Sequence, residues 1–148
     1  INDLTYMGPK VNTICSLYLN NNLIQDISPL IINQENLTEL NLSNNKIREI
    51  GCLQKNLKNL RRLCIANNHI HSVDCFAETT ANLEILVLSD NIISDISCFN
   101  NNWGKLEELY IADNVIKDVE FLKNGLGKLK VLQLNRNLIS DINCFKNN

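Results

Sequence analysis

Aromatic side chains are scarce in this chain of 148 residues: Phe, Trp and Tyr make up 5% of it, so Leu and Ile must fill any core. Charged residues make up 20% and the formal net charge is -2, a balance that favours neither a nucleic acid nor a membrane surface as partner. No apolar run approaches the roughly 18 residues of a membrane-spanning helix. Nor is there a Gly-rich phosphate loop, an HExxH pair or a nucleophile elbow, so the sequence predicts no catalytic residue and no cofactor.

The chain instead repeats itself every 23 residues. The pattern LxxLxLxxNxIxxIxxL occurs six times without insertion, and we number the copies coils 1 to 6 by their first residues, Ile14, Leu37, Leu60, Leu83, Leu106 and Leu129. The two leucines of LxL lie at positions i and i+2 and point the same way from a strand. The pattern therefore predicts one parallel strand per coil, at Ser16–Tyr18, Glu39–Asn41, Arg62–Cys64, Ile85–Val87, Glu108–Tyr110 and Val131–Gln133. The spacing of three in IxxIxxL predicts a 3-10 or short helical return.

One asparagine is the same in every coil: Asn22, Asn45, Asn68, Asn91, Asn114 and Asn137. It follows the strand, where the chain must bend inward and frees backbone N–H and C=O groups that no strand neighbour can satisfy. An amide side chain carries both donors and acceptors, so it can pair with groups of both kinds. We therefore predict that these residues form a structural ladder along the stack of coils.

These residues resemble the leucine-rich repeat family over essentially the whole chain. The resemblance implies an α/β fold: a right-handed solenoid with a parallel sheet on its concave face and 3-10 or short helical returns on its convex face. In this register residues 1–13 are a partial repeat with Ile1, Leu4 and Met7 in the return columns, six repeats start at residue 14, and the last is truncated. We expect residues 1–148 to be a single domain of a longer protein, whose uncapped ends favour end-to-end association.

Two groups within the family are similar in detail. The repeat length and the IxxIxxL return resemble the short class typified by the regulatory repeat subunit of type-1 protein phosphatase, which also includes the spliceosomal snRNP A-prime protein and the leucine-rich dynein light chain. The stretch NLIQDISPLI, residues 22–31, is similar to the repeats of bacterial internalins. Both resemblances imply recognition of a protein partner on the concave face.

Four of the six cysteines recur at one position of the pattern: Cys52, Cys75, Cys98 and Cys144. Stacking would place them on the return side, where a disulfide ladder or a metal site is conceivable. However, no CxxC or CxC occurs, and His69 and His71 pair with no Cys at ligand spacing. We interpret the cysteines as reduced thiols that act as small hydrophobic side chains. This predicts no metal site and favours a cytoplasmic or nuclear location.

The outward positions of the strands have no core role, so their residues are the candidates for binding. Ile85, Val87, Tyr110 and Val131 form an apolar cluster on the predicted concave face, and exposed apolar clusters mark interfaces. The predicted partner-binding residues are this cluster, its charged rim and two further concave positions: Tyr18, Arg62, Cys64, Ile85, Val87, Asp90, Glu108, Tyr110, Asp113 and Val131. The grid is not basic, which disfavours nucleic acid. Adjacent Glu107 and Glu108 point to opposite sides of a strand and do not form a catalytic pair.

The sequence therefore predicts a non-catalytic scaffold or adaptor that holds a protein partner on the concave face, like a phosphatase regulator or a cytoskeletal adaptor. The alternative is an extracellular adhesin or surface protein of the internalin kind. The state of the thiols separates the two hypotheses. The single tryptophan, Trp103, falls on a return segment and is predicted to pack on the convex side rather than to anchor a partner.

Overall fold

The computed structural model describes residues 1–5, 13–31, 36–54, 58–77, 82–100, 103–123 and 127–145. Six parallel strands form one sheet in which the order of the strands follows the chain. They are β1 (Ser16–Tyr18), β2 (Glu39–Asn41), β3 (Arg62–Cys64), β4 (Ile85–Val87), β5 (Glu108–Tyr110) and β6 (Val131–Gln133). These bounds are the predicted ones, and the parallel solenoid fold is confirmed.

Equivalent residues of successive coils are paired in the sheet. Leu17 of β1 pairs with Leu40 of β2, Leu40 pairs with Leu63 of β3, and the same register continues to β6. Because the period of the sequence is the same throughout, each column of the pattern becomes a straight row across the sheet. The identity of a column therefore decides whether its row faces the core or solvent.

Each coil returns through one 3-10 turn: Ser28–Ile31, Gly51–Gln54, Asp74–Ala77, Ser97–Asn100, Glu120–Lys123 and Asn143–Phe145. The residues described include no α-helix, so the helical component of the α/β prediction is limited to these 3-10 turns. Aspartates before four of the turns accept a backbone N–H two residues later. Asp95, for example, accepts from the Ser97 N–H at 2.8 Å. This hydrogen bond fixes the entry to the turn in the way that a cap fixes the start of a helix.

The inward columns form one continuous hydrophobic core. Leu86, Leu88 and Ile93 of coil 4 are 0% exposed, and equivalent residues of coils 2, 3 and 5 are buried in the same way. Coil 6 differs from the prediction: Leu132 and Ile139 are half-buried and Ile142 is 63% exposed, because among the described residues coil 5 alone packs against them.

The predicted partial repeat before coil 1 is described in part. Leu4 is 2% exposed and belongs to the core. Ile1, which we expected in an inward column, is 63% exposed, although its carbonyl accepts the Leu23 N–H at 2.9 Å. The third expected core residue, Met7, lies outside the described residues.

The repeated asparagines link each coil to the preceding one. The Asn91 amide nitrogen donates to the Leu88 carbonyl of its own coil at 3.0 Å and to the Ile65 carbonyl of coil 3 at 3.1 Å. Its oxygen accepts the Ile70 backbone N–H of coil 3 at 3.0 Å. Asn45, Asn68 and Asn114 make the same set of bonds.

The ends of the ladder are less buried than its middle. The four central asparagines are between 5% and 8% exposed, whereas Asn22 and Asn137 are half-buried. Asn22 accepts from the Ile1 nitrogen at 2.7 Å, at the same spacing of 21 residues as the backbone nitrogens that bond the other ladder asparagines. The side chains in the middle of the ladder are therefore the ones whose removal leaves buried groups without water.

Replacing Asn91 with Ala tests the ladder. The change leaves two carbonyls and one N–H buried without that amide, so we expect the free energy of unfolding to fall by about 1–3 kcal/mol. Chemical denaturation measures it. Asn135→Ala is the matched control, because Asn135 is exposed and its column already holds Ala in coils 3 and 5. Equal stability of the two variants would contradict the structural role.

Candidate functional site

Two rows of outward side chains cover the sheet, and we call the surface they form the concave face. One row holds the first residues of the strands, Ser16, Glu39, Arg62, Ile85, Glu108 and Val131, and the other holds the third, Tyr18, Asn41, Cys64, Val87, Tyr110 and Gln133. Tyr18 is 60% and Val131 37% exposed, and Arg62 is also exposed. Ile85, Val87, Glu108 and Tyr110 are half-buried by one another's flanks. The structure thus brings eight of the ten predicted binding residues onto the two rows.

Both tyrosines of the concave face are held by neighbouring carboxylates. The Tyr110 hydroxyl donates to Glu108 Oε2 at 3.0 Å within β5, and the Tyr18 hydroxyl donates to Glu39 of the next coil. Each carboxylate acceptor raises the pKa of its tyrosine, because the hydrogen bond stabilises the protonated phenol. The rings are therefore fixed in place and keep their protons at neutral pH. Aromatic side chains that are ordered before binding lose less entropy when a partner docks.

Arg62 lies between the two tyrosines in the sheet. The Cys64 side chain beside it is the main cause that raises the pKa of the guanidinium, and Glu39 and Glu108 add to the effect from β2 and β5. In its row Arg62 lies between Glu39 of β2 and Ile85 of β4, so the centre of the concave face has a cation between a carboxylate and an apolar side chain. A guanidinium offers five N–H donors, so this region can recognise a carboxylate or a carbonyl of a partner.

Cys64 is the predicted binding residue that the structure places differently. We expected its side chain to project from the sheet, but it is 8% exposed and buried by its neighbours. Its small side chain lies between the longer ones of Asn41 and Val87 in adjacent strands. Cys64 therefore leaves a low point in the surface and presents little area of its own to a partner.

Asp90 and Asp113 lie beyond the rows, in a turn with a left-handed backbone. Their φ angles are 58° and 54°, and the equivalent residues Asn21, Asn44, Asn67 and Arg136 have φ between 52° and 58°. Asn and Asp are the non-glycine residues that tolerate this conformation best. The predominance of Asn and Asp in this column thus has a backbone cause. The sequence pattern indicated only a binding role for Asp90 and Asp113 and did not reveal this cause.

Three carboxylates near the concave face, Glu84, Glu107 and Asp113, are paired with bases of adjacent coils. Glu84 lies 3.5 Å from Arg61, and Asp113 pairs with Arg136, which lowers the pKa of the carboxyl. Glu107 contacts Lys130 Nζ at 2.7 Å, on the other side of the strand from Glu108. Glu107 and Glu108 therefore have separate partners and do not form a pair. Because of these ion pairs, the edge of the concave face is less negative than its carboxylates alone would indicate.

The cysteine column lies on the return side, as predicted. Burial raises the pKa of Cys52 to about 11 and the pKa of Cys75 and Cys98 to about 12, and all six cysteines are present as thiols. Coil 5 has Phe121 in the same column, 2% exposed. A phenylalanine in equivalent packing supports the interpretation that this column serves to fill volume.

An aromatic cluster fills the return side of coils 3 to 5. The Trp103 and Phe99 ring centroids are 4.4 Å apart, Phe76 meets Trp103 edge-on at 6.1 Å, and Phe121 lies 5.5 Å from Phe99. The indole N–H donates to the Cys98 carbonyl at 3.3 Å. Trp103 is 1% exposed, so it packs on the return side and offers nothing to a partner on the concave face.

Across the part of the chain that the structure describes, no three His, Cys, Asp or Glu side chains come together in a way that could hold a metal ion. Among those same residues, no helix has the length and apolar character to cross a bilayer.

The chain matches a known protein family. A model of tandem leucine-rich repeats, two copies to a unit, matches residues 35–78, 58–101 and 104–147. The chain belongs to the leucine-rich repeat family. Proteins of this family generally act as scaffolds for protein–protein interaction. No match was found among curated protein sequences.

Several solved structures are similar to this chain. Internalin C2 of Listeria monocytogenes is 30% identical with a TM-score of 0.74, over 93% of this chain and 68% of internalin C2. The ectodomain of the Arabidopsis receptor kinase HAESA, solved with a peptide hormone, is 30% identical with a TM-score of 0.71, over 82% of this chain and 22% of the ectodomain. A leucine-rich repeat protein of Leptospira interrogans has a TM-score of 0.79 at 23% identity, over 88% of this chain and 33% of that protein, and it shows the fold alone.

Two substitutions of Asp90 separate its backbone role from a role in binding. Asp90→Ala should lower the free energy of unfolding by about 1 kcal/mol, because alanine pays the steric cost of the left-handed conformation. Asp90→Asn should leave stability unchanged, since asparagine occupies the same turn in coils 1 to 3. Thermal or chemical unfolding provides the measurement. If both variants were as stable as the original chain, the conformational explanation would be wrong.

Alkylation rates should distinguish the six thiols. At pH 8 a thiol with a pKa of 11 is only about a thousandth thiolate, so Cys52, Cys75 and Cys98 should react slowly in the folded protein. Exposed Cys15 should react first. Mass spectrometry after timed iodoacetamide labelling assigns each site, and all sites should react at similar rates in denaturant. Fast labelling of Cys75, which is half-buried, would contradict the raised pKa of its thiol.

Proposed function

We propose that this domain is a non-catalytic scaffold that binds a protein partner on its concave face. The observation that carries the proposal is the apolar cluster on strands β4 to β6, formed by Ile85, Val87, Tyr110 and Val131. These side chains lie in neighbouring strands and have no core role. Apolar side chains grouped on an open surface favour a protein partner, and tyrosine is among the residues that contribute most to interfaces.

The polar groups around this cluster indicate the chemistry of the partner. Arg62 offers N–H donors and the two tyrosines offer ring surfaces, whereas the tyrosine hydroxyls, Glu108 and Asp113 already have intramolecular partners. A partner with an apolar contact region next to a carboxylate or backbone carbonyl fits this arrangement. The low surface at Cys64 allows such a group to approach the sheet near the guanidinium. This supports a folded partner or a peptide segment over a small molecule.

We further infer an intracellular role of the phosphatase-regulator or cytoskeletal-adaptor kind, in the cytoplasm or nucleus. The proposal depends on the cysteines, which are thiols with raised pKa values in a packed column. In an oxidising compartment cysteines usually form disulfides, so six thiols in one domain favour a reducing compartment. The repeat pattern of the short class supports the same role.

An internalin-like surface protein is the second candidate. The 30% identity to internalin C2 over 93% of this chain favours it. The chain aligns with about two thirds of the internalin C2 chain, and the other third of internalin C2 is not matched by this sequence. Trapping thiols in intact source cells with a membrane-impermeant alkylating reagent distinguishes the two candidates. Labelling of Cys15 before lysis would favour the surface protein, and labelling only after lysis favours the intracellular scaffold.

A pull-down from lysate of the source cells tests the concave site. We expect a partner to be retained by the original chain and lost with Tyr110→Ala/Val87→Glu, because these changes remove a ring and place a charge in the apolar cluster. Leu23→Glu is the matched control, since it introduces the same charge at an exposed apolar residue away from the concave face. Circular dichroism confirms that each variant is folded. Retention by the double variant would place the binding surface elsewhere.

A further inference from the structure

A second apolar surface lies away from the concave face. Ile92, Val115 and Leu138 directly follow the ladder asparagine in coils 4, 5 and 6, and they are 53%, 38% and 55% exposed. We call these three side chains the side row. Backbone bonds hold the coils in contact at this point: the Val115 N–H donates to the Ile93 carbonyl at 3.0 Å and the Leu138 N–H donates to Ile116 at 2.8 Å. The three side chains therefore form one continuous strip.

Carboxylates border the side row along the chain. Asp90 and Asp113 come two residues before it, and Asp95, Asp118 and Asp141 come three residues after. Lys117 and Arg136 are the bases among these flanking positions, so the border of the strip carries a net charge of −3. The same column in coils 1 to 3 reads Leu23, Lys46 and His69, and the flanking charges there, Asp26, Arg48 and Glu49, cancel with Lys46 when His is neutral. The acidic, apolar section is therefore specific to coils 4 to 6.

We infer that the side row is a docking site for a basic amphipathic helix. Adjacent coils in a parallel sheet are about 4.8 Å apart, close to the 5.4 Å pitch of an α-helix, whereas side chains on one face of an extended strand are about 6.7 Å apart. A helix laid across the coils thus places one apolar side chain per turn on each of Ile92, Val115 and Leu138. Lysines or arginines on its two flanks meet Asp90 and the later aspartates Asp95, Asp118 and Asp141, whereas Asp113 is already paired with Arg136.

A second copy of this chain fits the side row less well. Placing two side rows against each other buries apolar surface but brings their aspartates together. Placing the side row on coils 1 to 3 of another copy avoids that repulsion, but it meets no net positive charge there and Leu23 is the one apolar residue of the column that faces Ile92, Val115 and Leu138. Charge and apolar contact are satisfied together by a partner that is apolar at its centre and basic at its edges.

The test uses a fluorescent synthetic peptide of Leu, Lys and Ala, about 15 residues long, with leucines on one helical face and lysines on both flanks. Anisotropy should show saturable binding to the 148-residue chain that weakens as NaCl is raised. Ile92→Ser and Val115→Ser should each weaken binding about fivefold or more, because each removes apolar contact from an exposed site. The peptide with Glu in place of Lys should not bind.

Two controls locate the effect. Leu23→Ser changes an exposed apolar residue of the same column outside the acidic section, and Tyr110→Ala changes the concave face; neither should alter peptide affinity. The inference is overturned if Val115→Ser binds as tightly as the original chain, or if the Glu peptide binds equally well. It is also overturned if sedimentation shows self-association that Val115→Ser abolishes. The pull-down with Tyr110→Ala/Val87→Glu reports separately on the concave site.

Discussion

The bend that follows every strand is the constraint on which the rest of this structure depends. A chain that leaves a parallel sheet toward its core carries N–H and C=O groups away from both water and strand neighbours. Here one asparagine amide per coil satisfies such groups in its own coil and in the preceding one. Since the bond reaches back by one coil, each bend is fixed relative to the last, and the columns of the sequence stay aligned through all six strands.

Because the columns stay aligned, the residues that stabilise the fold and the residues that are free to bind a partner occupy different columns. Inward columns repeat Leu and Ile because every coil buries them against the next, and that burial supplies most of the stability. Side chains of the outward columns do not pack in the core, so one short domain can have two surfaces with different residues. The concave face has ordered tyrosines around an arginine, and the side row has aliphatic residues between aspartates. Neither surface disturbs the core beneath it.

The period and the LxL spacing predict the strands to the residue, because a fixed register leaves no freedom in their placement. The sequence also predicts the return-side packing of Trp103 and the cysteine column. It does not reveal that Asp90 and Asp113 stand in left-handed turns, since a charged residue in a variable column reads equally well as a binding group. The burial of Cys64 depends on the lengths of its neighbours across the sheet, which periodicity does not describe. Nor does the pattern reveal the side row, whose column holds Lys and His in other coils.

The aromatic cluster around Trp103 has a consequence for how the domain folds. In a solenoid, coupling between adjacent coils determines where folding starts and how far it spreads. Phe76, Phe99, Trp103 and Phe121 tie coils 3, 4 and 5 together through contacts between their rings. This added coupling favours the central block as the place where ordering starts. Because the single tryptophan is buried inside this block, indole fluorescence reports the packing of coils 3 to 5 rather than fraying of the first and last coils.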